Sequence, residues 1–105
     1  MKIAIAATLP EPVAEVAMQG ARAPYYLCIN TETGLLESLA NPAAQTEKAA
    51  GPQAAAFLVH QGVDEVVAGE FGFRFRSELE AAGVVCIVKN GPIKEVVAQY
   101  QAPTT

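Results

Sequence analysis

The sequence predicts an α/β domain in three layers: a five-stranded mixed sheet with one antiparallel strand, flanked by helices. Three observations carry this. In the second half, short β-branched runs alternate with stretches whose apolar residues recur at helical spacing, a pattern of parallel strands joined by crossovers. In the first half, two strand-like runs flank Thr31-Glu32-Thr33-Gly34, whose turn chemistry closes a hairpin. Finally, 105 residues that are 51% apolar suffice for one core but not for two, so residues 1–105 are expected to form a single domain.

Lys2 to Ala7 reads as a buried strand. Thr8 to Ala23 is loop-like at both ends, broken by Pro10 and Pro12, with Val13, Val16 and Ala17 spaced for one helical turn. Tyr25 to Asn30 is apolar on both faces, and Leu35 to Ala40 returns as its hairpin partner. Asn41-Pro42 opens a polar loop that runs to about Gly51. A helix follows from Pro52, because proline suits a first turn, and Gly62 ends it. Val63 to Ala68 is the next strand and leads into Gly69-Glu70-Phe71-Gly72. Arg74 to Ala82 is helical, with Phe75, Leu79 and Ala82 on one face, and Gly83 stops it. Val84 to Val88 is the last strand. Pro92 starts a final helix with an apolar face of Ile93, Val96, Val97 and Tyr100, followed by a short tail, Gln101 to Thr105. The order βββαβαβα places Lys2–Ala7 at the centre of the sheet, with the hairpin strand antiparallel to it.

The formal net charge of −4 and a pI near 4.8 disfavour phosphate backbones and anionic membranes as partners. The apolar run at the start is short and ends at Pro10, Glu11 and Pro12, unlike a secretory signal, and no run approaches the ~20 residues of a membrane span. Cys28 and Cys86 show no CxxC spacing and lie within apolar runs, so they read as buried, unlinked thiols in a cytoplasmic protein.

The most informative stretch is Gly51-Pro52-Gln53-Ala54-Ala55-Ala56-Phe57-Leu58-Val59-His60-Gln61-Gly62-Val63-Asp64-Glu65-Val66-Val67-Ala68-Gly69-Glu70-Phe71-Gly72. It resembles the pattern G-x-Q-A-A-x-x-L-x-x-x-G-V-D-x-V-x-A-G-x-x-G of the dinitrogenase iron-molybdenum cofactor biosynthesis family. Arg22-Ala23-Pro24-Tyr25-Tyr26 is similar to the family's G-R-A-P-Y-F segment, Ala81-Ala82-Gly83-Val84 to its A-A-G-I/V element, and Val96 to Tyr100 to its closing helix. The resemblance implies a ribonuclease H-like sheet and a carrier that transiently binds an iron-sulfur or molybdenum-iron-sulfur cluster. The expected partner is the metal cluster or a cofactor-assembly protein, and the chain itself is expected to be a monomer or weak homodimer. Two departures matter. Gln19-Gly20-Ala21-Arg22 stands where relatives often read His-Phe-Gly-Arg, and Gln45-Thr46-Glu47-Lys48 where they often carry histidines. Imidazole ligation at either place is therefore ruled out.

Gly69 to Gly72 leaves a strand and enters a helix, at the edge where open α/β sheets bind ligands, and its glycines let backbone N–H groups approach an anion. Tyr25–Asn30 runs against the parallel strands, so the Gln19–Arg22 loop before it should face Gly69–Arg74 across that edge. The candidate binding residues are accordingly Gln19, Gly20, Arg22, Gly69, Phe71, Gly72 and Arg74, the guanidinium groups supplying several donors each. Phe71 or Phe73 is placed to cover a ligand, while Phe75 reads as core. His60 sits on the outer side of its helix near the carboxyl end, where a cation suits the dipole. No residue is assigned as a metal ligand.

No catalytic residue is assigned, and an enzyme is not expected. A ribonuclease H-type site needs converging carboxylates, one usually on the first strand, and Lys2 to Ala7 carries none. Ser38 and Ser77 lack a nucleophile's context, His60 is the only imidazole, and no phosphate-binding or dinucleotide fingerprint appears. Two functions remain: a small carrier for an anionic metal-sulfur cluster, or a metal-free protein-interaction module on the same fold.

Overall fold

The computed structural model describes residues 1–11 and 13–100; Pro12 and the tail at 101–105 lie outside the described residues. Five strands form one sheet: β1 (Lys2–Ala7), β2 (Tyr25–Asn30), β3 (Leu36–Ala40), β4 (Glu65–Ala68) and β5 (Val85–Val88), in the order β3-β2-β1-β4-β5. This is the ribonuclease H-like arrangement that the resemblance implies. β1 pairs in parallel with β4, and β4 with β5, whereas β2 runs against both β1 and β3. Three helices complete the chain: α1 (Ala50–His60), α2 (Phe73–Ala81) and α3 (Ile93–Tyr100).

Side chains alternate between faces along a strand, and the two faces here carry different cores. Ala4, Ala6, Tyr26, Cys28, Val66 and Ala68 meet α1 and α2 through Ala54, Ala55, Leu58, Phe75 and Leu79. Ile3, Ile5, Leu27, Ile29 and Val67 meet Ile93 and Val96 of α3, together with Ala14 and Val16 from the loop. Full burial of Leu58 or Leu79 contributes roughly 1.5–3 kcal/mol each. Both faces are covered, as a parallel core requires.

Three expectations need correction. The residues around Val13, Val16 and Ala17 form no helical turn. Val16 pairs with Ala7, its N–H donates to Gly91, and the Ala17 N–H donates to Ala6. Each bond satisfies a backbone group with a different neighbour, an outcome no local pattern announces. Ala82 ends α2 as its exposed C-cap rather than joining the core. Cys86 is only half-buried, because β5 is an edge strand, whereas Cys28 on β2 is fully buried; neither is linked.

Burial pushes the Cys28 thiol up to about 11, with Lys2 opposing and Glu37 reinforcing. Burial likewise raises Cys86, Arg76 opposing and Glu80 reinforcing, and raises Tyr26, with Cys28 adding to the effect. The unfolded chain therefore ionises first as pH rises from about 9, while the native state keeps its protons, so stability falls across that window. Urea unfolding between pH 8 and pH 11 is expected to lose roughly 2–3 kcal/mol through Cys28 alone. Cys28→Ala should start less stable and show a shallower decline, with the remaining slope carried by Cys86 and, above about pH 10, by Tyr26 and Tyr100, both raised by burial. A slope unchanged in Cys28→Ala contradicts this assignment.

Candidate functional site

At the carboxyl ends of β1 and β4 the chain leaves in opposite directions, towards β2 on one side and towards α2 and β5 on the other. A crevice opens between strands where their connections diverge in this way. Segments around Gln19–Arg22, Lys48–Pro52 and Glu70–Phe75 line it, enclosing a cleft of about 570 Å³.

Backbone pairing builds one wall. The Gly69 N–H donates to the Ala17 carbonyl at 2.9 Å, the Glu70 N–H to Met18 at 2.6 Å, and the Gly20 N–H to the Glu70 carbonyl at 3.2 Å. Gly69 is required there, since a Cβ would stand 2.7 Å from the Met18 Cα. The two loops expected to face each other are thus joined directly. Two of the expected site residues, Gly69 and Phe71, lie outside the lining of the cleft. The amides of Gly69 and Glu70 already serve the neighbouring loop and are not donors for a ligand, and Gly69 does not line the cleft. Phe71 does not line it either. Its ring stacks on Phe75 at 5.6 Å between centroids, with the Arg76 guanidinium 5.1 Å from its centre. Gln19, Gly20, Arg22, Gly72 and Arg74 do line the cleft.

The Arg22 loop is held from beneath by two buried polar side chains. Asn41 Nδ2 donates to the carbonyls of Ala21 at 2.9 Å and Ala23 at 2.8 Å, and its Oδ1 accepts from the Ala43 N–H. The Tyr26 hydroxyl donates to the Gly20 carbonyl at 2.6 Å. Arg22 itself reaches outward, Nη1 donating to the Thr46 carbonyl at 2.8 Å.

The other wall is made of two helix starts. Ala49 caps α1 in a left-handed conformation (φ 59°, ψ 33°) and Gly72 caps α2; neither cap makes a side-chain hydrogen bond, and neither first turn holds an acid. Gly51 lets the two starts meet, because a Cβ there would stand 3.0 Å from the Phe75 nitrogen. Unmet N–H groups and the positive ends of two helix dipoles therefore share this edge. Sequence reasoning missed Lys48 and residues 49–52 as part of the site. The available signal was Gly51-Pro52, which opens the longest motif and starts a helix.

Arg22, Lys48 and Arg74 give the cleft three cations against one carboxylate, Glu70. Among the described residues, none of these four side chains forms an ion pair. No thiol or imidazole lines the cleft; Cys28 is buried on β2, and His60 borders a separate groove with Glu78 between α1 and α2. Among the described residues, no three His, Cys, Asp or Glu side chains gather as metal ligands, and no helix is long and apolar enough to cross a membrane. The arrangement can hold an anion through charge and hydrogen bonds.

Residues 1–103 match the family profile described as dinitrogenase iron-molybdenum cofactor. Solved structures with the same fold include the apo form of the orange protein from Desulfovibrio gigas, at 24% identity and a TM-score of 0.85, covering 94% of this chain and 85% of that one. A Thermotoga protein of the DUF35 family, TM1290, shares 28% identity with a TM-score of 0.80, covering 94% and 85%. PH0822 shares 18% with a TM-score of 0.81, covering 95% and 89%. A search of curated protein sequences gave no match.

Asn41→Ala is expected to lower unfolding free energy by about 1–3 kcal/mol in a urea titration, since it strands the buried Ala23 carbonyl and the part-buried Ala21 carbonyl. Asn41→Asp should cost more at neutral pH, because a carboxylate cannot donate to either carbonyl. Equal stability of both variants with the parent would show that the loop does not depend on this network.

Proposed function

The chain belongs to the dinitrogenase iron-molybdenum cofactor family, and from that footing we propose that it is a small carrier, without catalytic activity, for an anionic iron-sulfur or molybdenum-containing cluster. The observation that carries this reading is the convergence of Arg22, Lys48, Arg74 and two helix starts without side-chain capping bonds on one cleft at the divergence point of the sheet. In a protein of net charge −4, this places three of seven cations on a single concave surface. Sulfide and oxo edges accept hydrogen bonds from guanidinium, ammonium and amide groups. A cleft of this size falls within the range of small-ligand sites. Holding by charge and hydrogen bonds leaves a preassembled cluster free to be passed on, whereas several thiolate or imidazole bonds would resist delivery. A structural neighbour described as an apo form is consistent with a fold that takes up and releases a group. The partner on this reading is a protein of cofactor assembly, and the compartment is the cytoplasm.

One observation favours the alternative of a metal-free interaction module. Phe73, 85% exposed at the start of α2, stands between the cleft residues Gly72 and Arg74, and Met18 beside Gln19 is also exposed. Apolar side chains so placed suit a protein partner.

Anaerobic addition of a molybdenum-iron-sulfur precursor, followed by gel filtration, visible absorption and metal analysis, tests the carrier reading. The parent protein is expected to elute with metal. Arg22→Ala and Lys48→Ala should each retain less, and thermal unfolding should change little, since exposed substitutions usually cost under about 0.5 kcal/mol. Metal-free elution of the parent would discard the carrier and favour the interaction module; equal retention by both variants would move the site elsewhere.

A further inference from the structure

The chain carries three asparagines, and the structure sets one of them apart. Asn41 is buried, its amide donates to the carbonyls of Ala21 and Ala23, and Pro42 after it has no N–H. Asn30 Oδ1 accepts from the N–H groups of Glu32 and Thr33, and the N–H of the following Thr31 donates to the Met1 carbonyl. Asn90 has none of these restraints. It lies exposed between β5 and α3, and among the described residues no hydrogen bond holds its side chain or the N–H of Gly91 after it. Gly91 has a positive φ of 99° and open space where a Cβ would stand, so its nitrogen is not crowded by a side chain of its own.

We infer that Asn90 is a spontaneous modification site, converted to aspartate and isoaspartate through a cyclic imide with Gly91. The Gly91 nitrogen gives up its proton to solvent and bonds to the Asn90 Cγ. The bond from Cγ to the side-chain nitrogen breaks, and that nitrogen leaves as ammonia. Water then opens the ring. Cleavage beside Cγ gives aspartate and cleavage at the main-chain carbonyl gives isoaspartate; nothing is oxidised or reduced, and no ligand is needed in the cleft. The place of Asn90 gives the change its consequence. Its side chain rests against Gly69, with Oδ1 2.9 Å from where a Gly69 Cβ would stand. Either product therefore sets a carboxylate beside the contact of Gly69 with Met18, which ties down one wall of the cleft. Isoaspartate also lengthens the main chain by one carbon between two fixed points, the Lys89 N–H on the Ala68 carbonyl and the Gly91 carbonyl that accepts from Val16.

The test ages the folded parent protein at mildly alkaline pH and digests it with pepsin in acid, where the imide forms slowly. Mass spectrometry locates the lost amide, and labelling by a protein isoaspartyl methyltransferase reads the isoaspartate. Loss is expected at Asn90 in the folded chain, with Asn30 and Asn41 unchanged over the same period. Asn90→Gln, whose side chain is one carbon too long for this ring, should take up no comparable label. Isoaspartate-bearing protein, separated from the parent by ion exchange, is expected to unfold at a lower urea concentration. An Asn90 that stays intact in the folded protein, whether or not it converts in urea, overturns the inference. So does conversion of Asn30 or Asn41 at the same rate, or labelling of Asn90→Gln at the parent's level. A modified form as stable as the parent overturns the link between this turn and the Met18–Gly69 contact.

Discussion

The contact on which the rest of this protein depends is the close approach of Met18 to Gly69. Three backbone hydrogen bonds span it, between Gly69 and Ala17, Glu70 and Met18, and Gly20 and Glu70. Any Cβ at position 69 would stand inside the van der Waals distance of the Met18 main chain and of the Asn90 side chain. With hydrogen there, the long segment between β1 and β2 is tied across the carboxyl end of β4, and Gln19 to Arg22 become one wall of a cleft. The same bonds remove three amides, those of Gly20, Gly69 and Glu70, from ligand binding. Recognition then falls to side-chain cations and helix starts rather than to a glycine-rich cradle.

A second constraint keeps that wall rigid. A loop packed over a sheet buries its carbonyls, and each must find a donor. Asn41 and Tyr26 meet those of Gly20, Ala21 and Ala23 from below, leaving the Arg22 side chain on the outer surface. Both partners are neutral, because burial keeps the Tyr26 phenol protonated well above its ordinary range. The support therefore carries no charge that would compete with a bound anion. Position 41 follows directly on β3, so the hairpin that supplies the antiparallel strand also supplies the staple for the site.

The acidic composition and the cationic cleft are compatible because they occupy different places. Most carboxylates lie on outward helix and turn positions, while Arg22, Lys48 and Arg74 come from three segments far apart in sequence. Only the meeting of α1 and α2 at Gly51 and Phe75 brings the second and third together. Net charge thus speaks to long-range attraction, and the local field of the cleft is set by topology.

The sequence by itself determined the element order, the sheet with its one reversed strand, the central place of Lys2–Ala7 and the family. These are legible because alternation, helical spacing, turn residues and motif spacing are properties of neighbouring positions. It also pointed to Gln19, Gly20, Arg22, Gly72 and Arg74 from loop placement at one sheet edge. Tertiary structure alone decided the rest. It bound Gly69 and the Glu70 amide to the opposite loop, turned Phe71 onto Phe75, and left Cys86 half-covered on an edge strand. It drew Val16 and Ala17 into bridges with β1 and with the turn before α3, and it added Lys48 and the start of α1 to the cleft. The physical reason is the same in each case. A backbone donor or an aromatic face takes whichever partner the packed chain brings within reach, near in sequence, as Phe75 is to Phe71, or far, as Ala17 is from Gly69.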